Sequence, residues 1–372
     1  MLSLWQNILL SGEFNTFNIV GGKLMKYFLS ESGRHEQQNA IQKPRSDSEK
    51  TMIKLGFEPV YISYGQDAPF TKHFKRYYEL KKFSKQMKKG DFFLVQHPAL
   101  RNTIFLKQFL NYLNNKGVIT IALIHDLNYI RLNRSTKFKQ KIALSWKDKE
   151  TLKSYSKVIV HNKSMGSKVQ EWGIPSSRIV KLNLFDYLTN DRFVEKNQSG
   201  VVIAGNLIAE KAGYIYNLPN SPQFNLYGTN YKDERSNNGD NVHYMGVYEP
   251  ENISVMKGRF GLVWDGSSIH TCAGDFGEYL KYNNPFKAST YLAAGLPIIV
   301  WKHSALANFV QKNNCGFIID DLANLSDRIE KLNSVDYSCM QRNALAISQK
   351  IREGAFLTQA LEKITDKEKS GE

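Results

Sequence analysis

Lys287 lies in the first turn of a segment, Tyr282-Asn-Asn-Pro-Phe-Lys-Ala-Ser-Thr-Tyr-Leu-Ala-Ala-Gly-Leu-Pro-Ile-Ile-Val300, that reads as a helix feeding a buried strand. Asn284 is the expected cap, and Pro285 falls in the first turn, where its missing N–H costs nothing. Gly295 supplies the left-handed position past the helix, and Pro297 leads into the strand. A cation beside the positive end of a helix dipole is unfavourable unless an anion shares the place. The free N–H groups there suit a diphosphate. The plainer alternative is a lysine on a solvated surface.

Two further segments of the C-terminal half carry ligand-binding residue types. In Val201-Val-Ile-Ala-Gly-Asn-Leu-Ile-Ala-Glu-Lys-Ala-Gly213 a strand ends on Gly205, which lets a ligand approach the backbone. Asn206 and Lys211 follow within reach of phosphate oxygens, or else form an ordinary strand-to-helix turn. Gly261-Leu-Val-Trp-Asp-Gly266 puts Asp265 at the carboxyl end of a strand, as a hydroxyl ligand or as the cap of a turn. Glu278, in Asp275-Phe-Gly-Glu278, stands just ahead of the Lys287 helix.

On the N-terminal side, the apolar run Val118 to Ile124 delivers His125-Asp126, and Phe92-Phe-Leu-Val-Gln96 delivers His97. A carboxylate or imidazole at such a strand end can take a proton from a substrate hydroxyl. Asp126 can equally cap a following turn. The Glu31-Ser-Gly-Arg-His35 loop after the first strand is expected at the same edge, with Gly33 allowing close approach beside His35.

These residues need a scaffold of parallel sheets, and the chain has the pattern for two. Short apolar runs alternate with amphipathic stretches throughout its 372 residues. Strands are expected at Tyr27–Leu29, Glu58–Ile62, Asp91–Gln96, Val118–Ile124 and Lys157–Val160. A second series covers Gly200–Ala204, Phe224–Tyr227, Val242–Tyr244, Gly261–Trp264, Pro297–Val300 and Gly316–Ile319. The apolar-poor stretch Asp186–Ser199 separates the series. The expected division is residues 1–24 outside the fold, 25–190 as one Rossmann-like domain, 191–350 as the other, and 351–372 as a C-terminal helix and tail. Residues 1–24 read as an upstream start or an expression remnant, since Glu13 and several asparagines interrupt any signal-like apolar region. Two doubly wound units leave a cleft between them, where ligands bind.

Charge is uneven. Residues 25–190 carry 30 Lys/Arg against 13 Asp/Glu, a net +17, whereas 191–372 carry 19 against 21. The first half should be drawn to something anionic: a membrane surface, nucleic acid or a phosphate-bearing acceptor. The segment Phe70–Lys89 sets lysines around a stripe of Phe70, Phe74, Tyr77 and Met87, either a solvated face over core or a membrane-docking helix. RNA- and DNA-binding signatures do not accompany the charge, which leaves nucleic acid a remote partner. Three cysteines without a CxxC pair exclude a disulfide framework and a structural zinc, and fit a reducing cytoplasm. There is no D-x-D sequence to hold a divalent metal, and no metal or other cofactor is expected.

The pattern Lys-x-x-x-Tyr-Leu-Ala-Ala-Gly-x-Pro-Ile-Ile at 287–299 resembles the donor-site helix of GT-B glycosyltransferases. With Gly205-Asn206, Phe260-Gly-Leu-Val-Trp264 and His125-Asp126, it is similar to the subgroup of bacterial β-1,6-galactofuranosyltransferases and streptococcal adhesin-modifying glucosyltransferases. The resemblance implies an α/β GT-B fold, two Rossmann-like domains facing a central cleft. It implies transfer of galactofuranose or glucose from a UDP-sugar to a glycan or lipid-linked acceptor, with inversion and without metal. Lys287, Lys211, Gly205 and Asn206 would then meet the diphosphate, and Asp126, with His97 second, would be the base. Tyr227 would stack on uracil or pack in the core, and Asp265 would meet the sugar. Many relatives hold the ribose with a glutamate three residues after the lysine; here Ser289 and Thr290 stand in that place. The resemblance also implies a homo-oligomer, while the cysteine usage and the basic first half lead to a cytoplasmic enzyme with peripheral contact at the inner face of the membrane as an expectation. A catalytically silent partner subunit is the alternative.

Overall fold

The computed structural model describes residues 24–30, 42–63, 71–100, 103–132, 138–191 and 199–370. Residues 1–23 and the loop bearing Gly33 and His35 lie outside them. Two parallel six-stranded sheets form the frame. The first holds β1 (Lys26–Leu29), β2 (Phe57–Val60), β3 (Phe92–His97), β4 (Ile119–Ile124), β5 (Lys157–Val160) and β6 (Ile179–Lys181), in the order β2-β1-β3-β4-β5-β6. The second holds β7 (Val201–Asn206), β8 (Phe224–Thr229), β9 (Val242–Tyr244), β10 (Phe260–Val263), β11 (Ile298–Trp301) and β12 (Gly316–Ile319), in the order β12-β11-β10-β7-β8-β9.

Both faces of each sheet are covered, so the central strands are built mainly of buried apolar residues, as parallel sheets require. In β8, Phe224 and Leu226 enter one core layer while Tyr227 enters the opposite one. The aromatic ring and hydroxyl of Tyr291 tie the Phe286–Ala293 helix to this sheet: Ala204 N–H donates to Tyr291 Oη at 2.6 Å. Gly261 in β10 leaves the room for that ring, since a Cβ there would lie 2.1 Å from Tyr291 Cγ. Gly261→Ala is therefore expected to destabilise the fold by about 1–3 kcal/mol through overpacking, read as a lowered urea midpoint.

The last two helices divide their loyalty. Ser334–Glu353 packs on the second sheet through Ala344, Ile347 and Ile351. Gly354 then turns the chain at φ 82°, and Ala355–Ser370 crosses back to cover the first sheet with Leu357, Ala360, Leu361 and Ile364. Buried Asp186 holds the start of this crossing helix by accepting from Phe356 N (3.1 Å) and Leu357 N (2.8 Å). Among the described residues, no helix is long and apolar enough to span a membrane.

Candidate active site

β7 and β10 are neighbours at the point where the chain's winding reverses, the usual ligand position in such sheets. Their carboxyl ends present Gly205-Asn206 and Trp264-Asp265. Gly205 has φ 131° and open space where a side chain would begin. Lys287 reaches this point from the helix Phe286–Ala293 and is nearly enclosed, its side chain 11% exposed. Its ammonium donates to Trp264 O (3.0 Å) and Asp265 Oδ1 (2.7 Å). The lysine thus faces inward at the switch point and not into bulk solvent.

The helix start differs from expectation. Its capping position is Pro285, and no side chain caps it. Asn284 is engaged elsewhere: its Oδ1 accepts from Asn162 Nδ2 (2.7 Å), and its Nδ2 donates to Asn183 O. The backbone N–H groups of the first turn consequently stay without a capping side chain. At the helix's other end, Arg352 donates to Ala293 O from Nε (2.9 Å) and Nη2 (2.8 Å), complementing the negative pole.

Lys211 supplies a second cation. The short helix bearing it is clasped to the Asp265 turn, with Gly266 N–H donating to Lys211 O at 2.7 Å. The Asp265 carboxylate favours its charged form, but burial together with the charges of Lys287 and Arg131 outweighs that, and its pKa is lowered. Lys287 and Lys211 thus share the single carboxylate of Asp265 at a strand end, an arrangement that suits an anionic ligand.

Across the crevice, Asp126 follows β4 and is paired with Arg131, whose Nη1 donates to its Oδ2 at 2.5 Å. Burial raises its pKa against the opposing pull of Arg131, Lys211 and Arg45. A carboxylate so adjusted is a better proton acceptor than a free one. His97 is placed differently from the expected second base. It is 2% exposed, and its Nε2 sits 3.2 Å from Asp148 Oδ1, while Asp148 Oδ2 accepts from Tyr129 N at 2.6 Å. That arrangement ties the segment after Asp126 to the interior and engages the His97 ring with Asp148. His125 is also buried, bonded to Gln96 Oε1 at 2.7 Å and stacked on Phe185.

The remaining expected residues separate by face. Asn206 is exposed and ordered by its own loop, accepting from Ile208 N and Asn230 Nδ2. Ser289 and Thr290 are both buried, and the Thr290 hydroxyl donates back to Phe286 O. Glu278 pairs with Lys281 at 2.8 Å. Tyr227 is a correction: it is 3% exposed and spans Val255 O and Lys257 N with its hydroxyl, so its ring offers no face to a base. Three residues were not anticipated. Tyr279 of the C-terminal half accepts from Leu127 N at 2.8 Å. Phe276 lies beneath both Arg131 and Lys211, about 6 Å from each. Arg131 closes the short helix Asn128–Arg131, five positions after Asp126, and a cation so near a candidate base is the signal that could have pointed to it. Among the described residues, no cluster of three or more His, Cys, Asp or Glu is placed to hold a metal ion.

The halves are joined through His161. Its Nδ1 accepts from Asn284 N–H at 3.1 Å, and its Nε2 donates to Ile124 O at 3.0 Å. Burial, against the support of its hydrogen bonds, lowers its pKa from 6.5 to about 4. The unfolded chain takes up a proton near pH 6.5 that the folded one refuses until about pH 4, so this residue's contribution falls as pH drops through that window. Asp186, raised by burial to about 7, works in the opposite direction. The readout is therefore the stability difference between wild type and His161→Gln. It should shrink by about 3 kcal/mol from pH 7 to pH 4 in urea titrations.

Two consecutive family models match, the N-terminal domain of glucosyltransferase 3-like proteins over residues 26–184 and the C-terminal domain over 201–364. The β-1,6-galactofuranosyltransferase WbbI of Escherichia coli K12 is 34% identical over 253 residues, covering 66% of this chain and 71% of that protein. The chain belongs to the glucosyltransferase 3-like family. Glucosyltransferase 3 of Streptococcus gordonii is 26% identical over 279 residues, 73% of this chain and 78% of its own length. The two parallel six-stranded sheets with flanking helices make the fold of this chain GT-B. Sucrose-phosphate synthase of Thermosynechococcus elongatus superposes with a TM-score of 0.59 at 13% identity, covering 94% of this chain and all of that one. Anabaena HepE, solved with UDP, gives 0.55 at 13% identity, covering 92% and 100%. This glucosyltransferase 3-like protein is a glycosyltransferase.

Proposed function

We propose that the chain moves galactofuranose or glucose from a UDP-sugar to a glycan acceptor of a bacterial surface polysaccharide or glycoprotein. The observation that carries this reading is the convergence of Lys287, Lys211 and an uncapped helix start at the switch point, with Asp126 across the crevice. The acceptor hydroxyl gives its proton to Asp126 as its oxygen bonds to the anomeric carbon. The bond from that carbon to the β-phosphate oxygen breaks on the opposite side, inverting the centre and leaving UDP. The two lysines and the helix dipole meet the charge that develops on the diphosphate, the part a metal plays in other transferases. Support for the donor comes from the galactofuranosyl activity in WbbI's name, the glucosyl activity in glucosyltransferase 3's name, and HepE's complex with UDP-glucose. The net +17 of the N-terminal half favours a phosphate-bearing, lipid-linked acceptor at an anionic membrane.

A thermal-shift screen of UDP-glucose, UDP-galactopyranose and UDP-galactofuranose tests the donor, because a selective ligand raises the melting temperature in step with its affinity. Stabilisation by one UDP-sugar at micromolar concentration is expected. No shift with any of them, or with UDP, would remove the basis of the reading.

A further inference from the structure

Arg131 is a cation of the N-terminal half that reaches across the crevice to Phe276 of the other half. Its Nη1 holds Asp126 at 2.5 Å, while its Nε is enclosed and has no hydrogen-bond partner among the described residues. The guanidinium plane lies over Phe276 of the C-terminal half, 5.9 Å from the ring centre, and Lys211 lies 6.0 Å from the same centre. An arginine fork has donors to spare for a second anion, and a diphosphate held by Lys211 and Lys287 would stand beside it.

We propose that Arg131 is a positioning residue that couples donor binding to the base, pairing with Asp126 until the donor enters and then turning its fork to the diphosphate. This inference rests on the UDP-sugar reading above. Removing a cation from beside a carboxylate raises its proton affinity, so donor binding would strengthen the base only once there is a sugar to transfer. The groups facing Asp126 are Arg131 on its own side, Arg45 from the Lys43–Lys54 helix, Asp148 from the turn Trp146–Glu150, and Lys211 and Tyr279 from the C-terminal half. Of these, Arg131 alone is bonded to the carboxylate and exposed enough, at 32%, to move.

Calorimetry of UDP binding to the full chain, repeated in buffers of different ionisation enthalpy near pH 5, counts the protons exchanged without requiring turnover. Wild type should take up more protons on binding UDP than Asp126→Asn, and Arg131→Gln should abolish that excess while weakening UDP binding roughly tenfold, the loss of one charge-assisted contact. Arg131→Lys should restore part of the affinity. If Arg131→Gln binds UDP as wild type does, with the same proton uptake, the coupling is overturned while the donor reading stands. If wild type does not bind UDP at all, it is the donor reading that fails.

Discussion

Replacing Lys287 with methionine is expected to cut turnover by about a hundred- to a thousandfold, the loss seen when one preorganised contact to a developing charge is removed. The same change strands Asp265, which is 4% exposed and accepts from the lysine at 2.7 Å. Breaking a buried pair from one side costs about 3–5 kcal/mol, so a single variant would mix lost chemistry with lost stability. Lys287→Met combined with Asp265→Asn separates them. The double variant should recover most of the urea midpoint, because no unpaired charge is left buried, while turnover stays low. Turnover near the wild-type level in either variant, on a donor that wild type accepts, would show that the diphosphate leaves without this lysine.

Asp126→Asn is expected to lower kcat by about a hundred- to ten-thousandfold, the range for removal of a general base. The amide still accepts from Arg131 but cannot receive a proton. Donor KM should not rise, since the carboxylate acts on the acceptor and its loss only frees Arg131 for the donor, and the pattern to look for is loss in kcat with binding retained. A parallel loss in donor affinity would instead mark Asp126 as part of the donor cradle. The wild-type acid limb should lie above the ordinary range of an aspartate, because burial raises this pKa, and it should vanish in the variant.

The frame was readable from local pattern. Short apolar runs between helical stretches marked every strand but β6, Ile179-Val-Lys181, whose two apolar residues run straight into a lysine. Lys287 and Asp265 were each recognisable as strand-end or helix-start residues. Their ion pair was not, because it joins positions 22 residues apart through the packing of helix on sheet. Tyr227 shows the limit most plainly. A tyrosine ending a strand reads as a ring at the cleft or as core, and a sheet covered on both faces buries either parity, so only tertiary packing decides. Asn284 failed in a similar way: capping is a local preference, and Asn162, Asn183 and His161 offered it better partners from the other half.

The return of the last helix to the first sheet has a mechanical consequence. The polypeptide passes between the halves twice, once near Leu182–Asp191 and once at Gly354, and the two passages are laced together by Tyr187 N–H on Ile351 O and by Asp186 on residues 356 and 357. Two tethers lying side by side act as the pin of a door. Any movement of one half against the other is confined by them to rotation about their shared line, with sliding apart and twisting in other senses resisted.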